Sequence, residues 1–168
     1  TIVSKGSARK SAVRGSKICT GFQSIGQIAD IFDCYREEAN RLGTSVGPDD
    51  IGLRRNITVA HDEGEALEGA KFARESTKKL TASDDRIVDV GAPLLDAPQV
   101  SSSFSIHDDE FVAGTPTQVA EQLIEQRRAC GAGHILATLG RASRSQRPEM
   151  ISLVGREVLA ELQRAEIG

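Results

Sequence analysis

The chain has 168 residues, of which 39% are hydrophobic and 27% are charged, as in a folded globular domain with a sizeable core. A net charge of −3 and the absence of tryptophan argue against a nucleic-acid-binding module, and no apolar stretch approaches the roughly 18 residues that a membrane span needs. No signal-peptide pattern is present, and the three cysteines form no Cys-x-x-Cys pair, so we expect a cytoplasmic protein without structural zinc. Because Thr1 is not a methionine, we expect the chain to be processed, trimmed or a fragment.

The first predicted elements are a strand, a glycine turn and a short helix. Thr1–Ser4 is predicted as a strand that begins before the first residue. Lys5–Ser7 forms the turn, with Ser7 capping a helix that runs to about Lys17. Ile18–Phe22 is a second short apolar segment, which fits the end of a strand.

The next helix is the best specified. Ser24 and Gln27 have the spacing of a capping box, in which each side chain satisfies a backbone N–H of the other residue. Gly43 ends the helix in the left-handed region. Apolar residues at intervals of three and four predict one buried stripe, formed by Ile28, Ile31, Phe32, Tyr35, Ala39 and Leu42.

A longer strand is predicted over Ile51–Ala60, with two different faces. Its apolar face carries Ile51, Leu53, Ile57 and Val59, and its opposite face carries Gly52, Arg54, Asn56 and Thr58. The polar residues would line the floor of a pocket if their face points into a barrel, but an internal hydrogen-bond network is the favoured interpretation. Asp62 and Glu65 then cap a helix that runs to about Lys79.

Residues 80–110 are predicted as a long irregular segment, because they contain two prolines, three consecutive serines and the acidic run Asp108–Glu110. Such a segment in a compact domain is either a functional lid or disordered, and both alternatives stay open here. His107 precedes the acidic run, but adjacent loop residues rarely converge on one ion. We therefore expect a solvated acidic stretch and predict no metal site.

The last elements are a helix, a strand and a helix. Thr115 and Gln118 form a second capping box around Pro116, which opens a helix running to Cys130. Ile135–Leu139 is an unbroken apolar run, as expected of a strand covered on both faces. A final helix opens at Pro148, with an inward stripe of Ile151, Val154, Val158 and Leu162.

Strands that alternate with helices predict an α/β fold built from parallel βαβ units. About three strands are expected, and a three-stranded sheet has two open edges. A closed (β/α)8 barrel typically needs about 250 residues. The chain is therefore predicted to be part of a barrel, or a partner that completes one; a small doubly wound domain is the alternative.

Four segments, in this order and spacing, carry a resemblance to a known family. They are the helix with Tyr35–Ala39, the run Asp50–Ala60 leading into an acidic, alanine-rich helix, the run Phe111–Leu123, and Gly131–Leu136. Together they resemble the C-terminal part of bacterial luciferase-like flavin-dependent monooxygenases. The family folds as a (β/α)8 barrel with insertions.

The resemblance implies a fold in which the chain forms the C-terminal portion of such a barrel, about strands six to eight with their helices. Thr1–Ser4, Ile51–Ala60 and Ile135–Leu139 would be these strands. Residues 1–168 would form one domain with a long loop insertion at about 80–110. The family's main catalytic side chains lie mostly in the N-terminal strands, so no catalytic residue is assigned.

The turn after the first strand is the candidate cofactor site. A strand that runs into a glycine turn and a helix N-terminus presents N–H groups and the positive end of the helix dipole, which suits an anion. The family binds the flavin phosphate at this turn, so Gly6, Ser7 and Ala8 match its backbone cradle. Arg9 is added because of its charge and position. The alternative is an ordinary turn with a serine cap.

The chemistry implied by the resemblance is that of a monooxygenase that uses reduced FMN and O2 to oxidise a small organic substrate. The alternatives are a deazaflavin-dependent oxidoreductase of the same fold and a non-enzymatic half-barrel scaffold. The expected partners are the N-terminal half of the barrel (in the same or a separate chain), the substrate and a separate flavin reductase. A homo-oligomer is also expected.

Overall fold

The computed structural model describes residues 4–82, 106–139 and 146–167. The strands are β1 (Ile18–Thr20), β2 (Ile51–Val59), β3 (Phe111–Gly114) and β4 (His134–Leu139). The helices are α1 (Lys5–Val13), α2 (Ile25–Arg41), α3 (Glu63–Ala82), α4 (Pro116–Cys130) and α5 (Arg147–Leu153), which continues through a π-helical turn (Val154–Val158) into α6 (Leu159–Ile167). Single 3-10 turns lie at Pro48–Asp50 and Asp108–Glu110.

All four strands are parallel, and β2 is the axis of the sheet. β1 pairs with the first three residues of β2, and β3 pairs with its last four. β4 pairs with Gly52–Ile57, overlapping both of these registers, so it lies along the opposite edge of β2. The predicted α/β fold with a parallel sheet is confirmed.

The residues that the structure describes contain four strands, where about three were expected for the chain. No strand was predicted at Phe111–Gly114, and it is a strand because it pairs with Asn56–Val59. Ile18–Thr20, predicted as a strand end, is the direct neighbour of β2. Strands this short depend on pairing with a neighbour rather than on their own propensity, so periodicity does not detect them. Of the predicted strand Thr1–Ser4, all but Ser4 lies outside the described residues.

Both predicted capping boxes are confirmed. In α2 the side chains and backbones of Ser24 and Gln27 bond reciprocally, and in α4 those of Thr115 and Gln118 do the same. The predicted left-handed stop after α2 is also confirmed, because Gly43 has φ +76°. These local signals explain why the starts of both helices were predictable.

The core lies on one face of β2, in two clusters. Ile51 and Leu53 pack with α1 and α2, and Ile57 and Val59 pack with β3, α4 and α5. These four side chains are at most 3% exposed, which confirms the predicted apolar face. We call this the outer face and the opposite face, with Arg54, Asn56 and Thr58, the inner face.

β4 is less covered than predicted. Leu136 is 56% exposed, so the expectation of a strand covered on both faces is wrong for the described part of the chain. Ile135 and Leu139 pack against the outer cluster, whereas Leu136 lies on the inner face beside its register partner Arg54. Among the described strands, β4 pairs only with β2, which leaves its other edge available for pairing.

Arg36 ties α2 to the end of α4. Its Nη2 donates to the carbonyl oxygens of Cys130 and Gly131, both at 2.9 Å, and its Nη1 lies 2.8 Å from Asp33 Oδ1. We expect Arg36→Ala to lower the free energy of unfolding by about 1–3 kcal/mol, because hydrogen bonds to a charged group are lost. Urea titration measures this, with exposed Arg128→Ala on α4 as the control; equal effects of the two changes would contradict the assigned role.

Candidate functional site

The N-terminus of α1 is the first part of the candidate site. Ser4 is extended (φ −154°, ψ 157°) and its Oγ accepts a hydrogen bond from Ser7 N at 3.2 Å. The cap is therefore Ser4 and not Ser7 as predicted, and the helix begins at Lys5 and ends at Val13, before the predicted Lys17. The assignment shifts because Ser7 sits at the third helical position, where its N–H needs a cap.

The first turn of α1 is open to an approaching ligand. A Cβ on Gly6 would meet only Ser4 Oγ, at 3.9 Å, and both residues are exposed. The N–H groups of the first three helical residues have no carbonyl partner inside the helix, whereas Ala8 N donates to Ser4 O at 3.0 Å. Ala8 is buried and Arg9 is exposed. This geometry fits a phosphate group that accepts from backbone N–H groups at the tip.

The second part of the site is a buried carboxylate between β1 and β3. Glu110 is fully buried, with Oε1 2.7 Å from both Arg54 Nη1 and Asn56 Nδ2, while Oε2 accepts from Phe22 N at 2.8 Å. Burial raises the pKa of Glu110 above its usual range, and these donors only partly oppose the rise. The predicted hydrogen-bond network on the polar face of β2 is thus confirmed for Arg54 and Asn56.

Phe22, whose backbone N–H donates to this carboxylate, has an unusual backbone conformation. Its φ is +75°, in the left-handed region that a bulky residue rarely adopts. Its carbonyl oxygen accepts from His107 N at 2.7 Å, so the 106–110 segment holds it on both sides. The Arg54 guanidinium lies 4.1 Å from the centre of the Phe22 ring. Strained residues of this kind cluster at functional sites.

The acidic run before β3 is not solvated as predicted. Besides the buried Glu110, Asp109 accepts from Ile25 N at 2.9 Å and so stabilises the start of α2. Only Asp108 is well exposed, and it pairs with Arg74 at 3.1 Å. Adjacency in the sequence concealed these roles, because the partners lie about 50 to 90 positions away. Within the described ranges, no group of three or more potential ligands converges on a metal position.

Arg55 is an unexpected buried cation on the outer face. It is fully buried, its Nε donates to Gln126 Oε1 and its Nη1 donates to Arg54 O at 2.9 Å. Burial lowers the pKa of Arg55, although Glu110 at 3.6 Å partly offsets the effect. Alternation along the strand predicted an apolar face and did not reveal a charged member of it.

A cavity of about 610 Å³ lies at the C-terminal end of β2, between α3 and α5. Its walls are mixed: Val59, Phe72 and Met150 are apolar, whereas Thr58 and Arg147 are polar or charged. Of the predicted polar face, Thr58 therefore lines a pocket, whereas Arg54 and Asn56 belong to the Glu110 network. Active sites of barrels lie at this end of the strands.

Comparison with known proteins bears on the fold. No family model and no curated protein matches the chain. The monooxygenase RslO1 from Streptomyces bottropensis is similar in structure (TM-score 0.69, 20% identity, 94% of this chain and 45% of that one). The oxygenating constituent of 3,6-diketocamphane monooxygenase from Pseudomonas putida, in complex with FMN, is also similar (TM-score 0.63, 18% identity, 93% of this chain and 45% of that one). A third protein of similar structure is a coenzyme F420-dependent tetrahydromethanopterin reductase from Methanopyrus kandleri (TM-score 0.55, 14% identity, 95% of this chain and 49% of that one).

The chain spans about half the length of these proteins. The predicted fold class, the C-terminal portion of a (β/α)8 barrel, is confirmed. No helix in the described ranges is long and apolar enough to cross a membrane.

Proposed function

We propose that this chain, which has the fold of the C-terminal part of a luciferase-like flavin monooxygenase barrel, contributes a flavin phosphate site to such an enzyme. Several proteins of similar structure are monooxygenases, one of them solved with FMN. Bound reduced FMN would supply the oxidation chemistry, in which one oxygen atom of O2 goes to a small organic substrate and the other leaves as water. This chain supplies binding and orientation.

The observation that carries the proposal is the open tip of α1. α1 leads into the start of β1, so it runs back along the sheet and begins towards the edge where β1 ends and the cavity lies. Gly6 leaves room above the backbone, and Ser4 and Ser7 place two hydroxyl groups 3.0 Å apart beside it. The exposed Arg9 adds a positive charge within the first two turns. Together these features suit a dianionic phosphate ester.

The proposal includes a partner that completes the barrel, which is the N-terminal half in the same or a separate polypeptide. Two features of β4 support it: an edge that no described strand occupies, and the exposed Leu136 on the inner face. An open strand edge with exposed apolar side chains is a liability unless another chain segment covers it. A first barrel strand paired parallel to β4 would remove both.

Ser7→Asp in the completed barrel tests the phosphate site. A carboxylate beside the phosphate should weaken FMN binding by about tenfold or more, whereas riboflavin, which has no phosphate, should bind the variant as well as the parent. Fluorescence titration measures both affinities. Ser45→Asp, the same change on the exposed loop after α2, is the matched control. Equal effects of Ser7→Asp on FMN and riboflavin would contradict the site.

A deazaflavin is the second candidate cofactor. The observation that favours it is the structural similarity to the F420-dependent reductase. The same tip of α1 would hold its phosphate, and the chemistry would then be hydride transfer without oxygen. The absorbance spectrum of the cofactor that copurifies with the completed barrel separates the two candidates.

A further inference from the structure

We infer that Arg54 provides the positive charge against which the reduced flavin ring binds, with Phe22 and Leu136 as the apolar contacts beside it; this rests on the proposed function. Arg54 and Leu136 lie on the inner face, and Phe22 lies at its edge, just after the end of β1. Leu136 is the register partner of Arg54, and Phe22 stacks on the Arg54 guanidinium at 4.1 Å. A cation beside an aromatic ring and an aliphatic side chain offers both the charge and the apolar contacts that an anionic ring system needs.

The inner face is open at this point and closed further along the strand. α3 covers the far end of β2, since a Cβ on Gly69 would approach Thr58 Cγ2 to 2.8 Å. The Arg54 side chain is 18% exposed and Leu136 is 56% exposed, so a ligand in the barrel interior reaches both. The surface therefore adjoins the space that the completed barrel encloses.

Arg54 is held in place rather than free to move. Glu110 accepts from its Nη1 at 2.7 Å on one side, and the Phe22 ring covers it. Glu110 also fixes Phe22, through the backbone N–H bond of 2.8 Å. A guanidinium pre-oriented in this way loses little freedom when a ligand binds. Among the described residues, the titratable groups around it include Glu110 itself, Arg55, which lies 3.6 Å from the same carboxylate, and the Cys19 thiol.

The effect of Arg54 on binding depends on the charge of the flavin ring. The reduced flavin ring carries a negative charge near neutral pH, and the oxidised ring carries none. A fixed cation at the ring therefore favours the reduced form, which raises the affinity for reduced FMN relative to oxidised FMN. Arg54 would thus select the form of the cofactor that reacts with oxygen.

The test is the ratio of the affinities for reduced and oxidised FMN, measured anaerobically at pH 8 in the completed barrel. Arg54→Gln should lower the ratio by about tenfold, and Arg54→Lys should keep it within about threefold of the parent, because the charge remains. Glu110→Gln should raise the ratio, because it removes the negative charge next to Arg54. Arg36→Gln, which loses structural hydrogen bonds on the outer side, is the control and should leave it unchanged.

The outcomes separate the inference from the proposed function. A parent barrel that binds neither form of FMN contradicts both. A parent that binds FMN, combined with an unchanged ratio in Arg54→Gln, contradicts the inference alone. If Arg54→Gln does not fold, the other two variants test the inference. A tenfold fall of the affinity ratio in Arg54→Lys, or an unchanged ratio in Glu110→Gln, would overturn the role of the charge.

Discussion

Glu110→Ala is expected to destabilise the chain by about 3–5 kcal/mol, because removing one partner of a buried ion pair leaves an uncompensated buried charge. The carboxylate is fully buried and binds Arg54, Asn56 and the backbone of Phe22, within 3.6 Å of the fully buried Arg55. Its removal leaves two arginines without their counter-charge, one of them out of contact with water. It also removes the hydrogen bond that connects the segment after β1 to the residue before β3.

Urea titration of the chain measures this loss. Asp108→Ala is the matched control, because Asp108 is two positions away and its side chain is 79% exposed. Its single ion pair with Arg74 should contribute less than about 1 kcal/mol. If Glu110→Ala costs no more than Asp108→Ala, the buried network does not hold the sheet together.

The same carboxyl gives the stability a pH dependence of known sign. Burial raises the pKa of Glu110 in the folded chain, so the folded state binds more protons than the unfolded state between the ordinary and the raised pKa. The part of the stability that depends on this group's proton is therefore fully present below the ordinary pKa and is lost as the pH rises through the raised one, whereas the hydrogen bonds and the counter-charge that the carboxyl group provides are separate from it. Glu110→Gln should remove this contribution to the pH dependence of the free energy of unfolding, which urea titrations at several pH values across this range would measure.

Leu136→Asp is expected to reduce the affinity for the N-terminal half of the barrel by about 100-fold or more while leaving the isolated chain almost unchanged. Leu136 is 56% exposed in the chain, so a carboxylate there remains hydrated. In the completed barrel the same position lies inside, where a carboxylate loses its hydration, and the neighbouring Arg54 is already paired with Glu110. Where both halves belong to one polypeptide, the loss appears instead in its free energy of unfolding.

Titration of the labelled halves measures the association, and urea titration measures the stability of each variant. Leu42→Asp is the matched control, because Leu42 is 44% exposed but follows α2 on the outer side of the sheet. The interpretation of β4 as an incomplete edge fails if Leu136→Asp associates as well as Leu42→Asp does.

Local signals made much of the fold predictable from the sequence. The serine and threonine caps with glutamine three positions later set the starts of α2 and α4, and the three-and-four spacing identified most of the buried side of α2. Two residues of the predicted buried stripes are exposed instead, Leu42 after α2 (44%) and Ile151 on α5 (56%), because each lies near a helix end or on a flank that no other described element covers. Alternation along β2 identified the apolar outer face. Each of these signals depends on residues close together in the chain.

The features that sequence analysis missed depend on distant partners. Phe111–Gly114 is a strand because β2 lies beside it, and Glu110 is buried because Arg54 and Asn56 lie opposite. In the sequence, Glu110 ends an acidic run and looks solvated. The cap of α1 shifted from Ser7 to Ser4, since either serine satisfies the same local rule and only the backbone conformation decides. The α1 turn stays a predicted phosphate site.

The ratio of FMN to riboflavin affinity in the completed barrel tests the central claim most directly. The claim is that this chain supplies the phosphate site of a flavin-binding barrel. It predicts that FMN binds at least about tenfold more tightly than riboflavin, because charge-assisted hydrogen bonds to the tip of α1 contribute only to FMN. Equal affinities for the two flavins, or no binding of either, would contradict it.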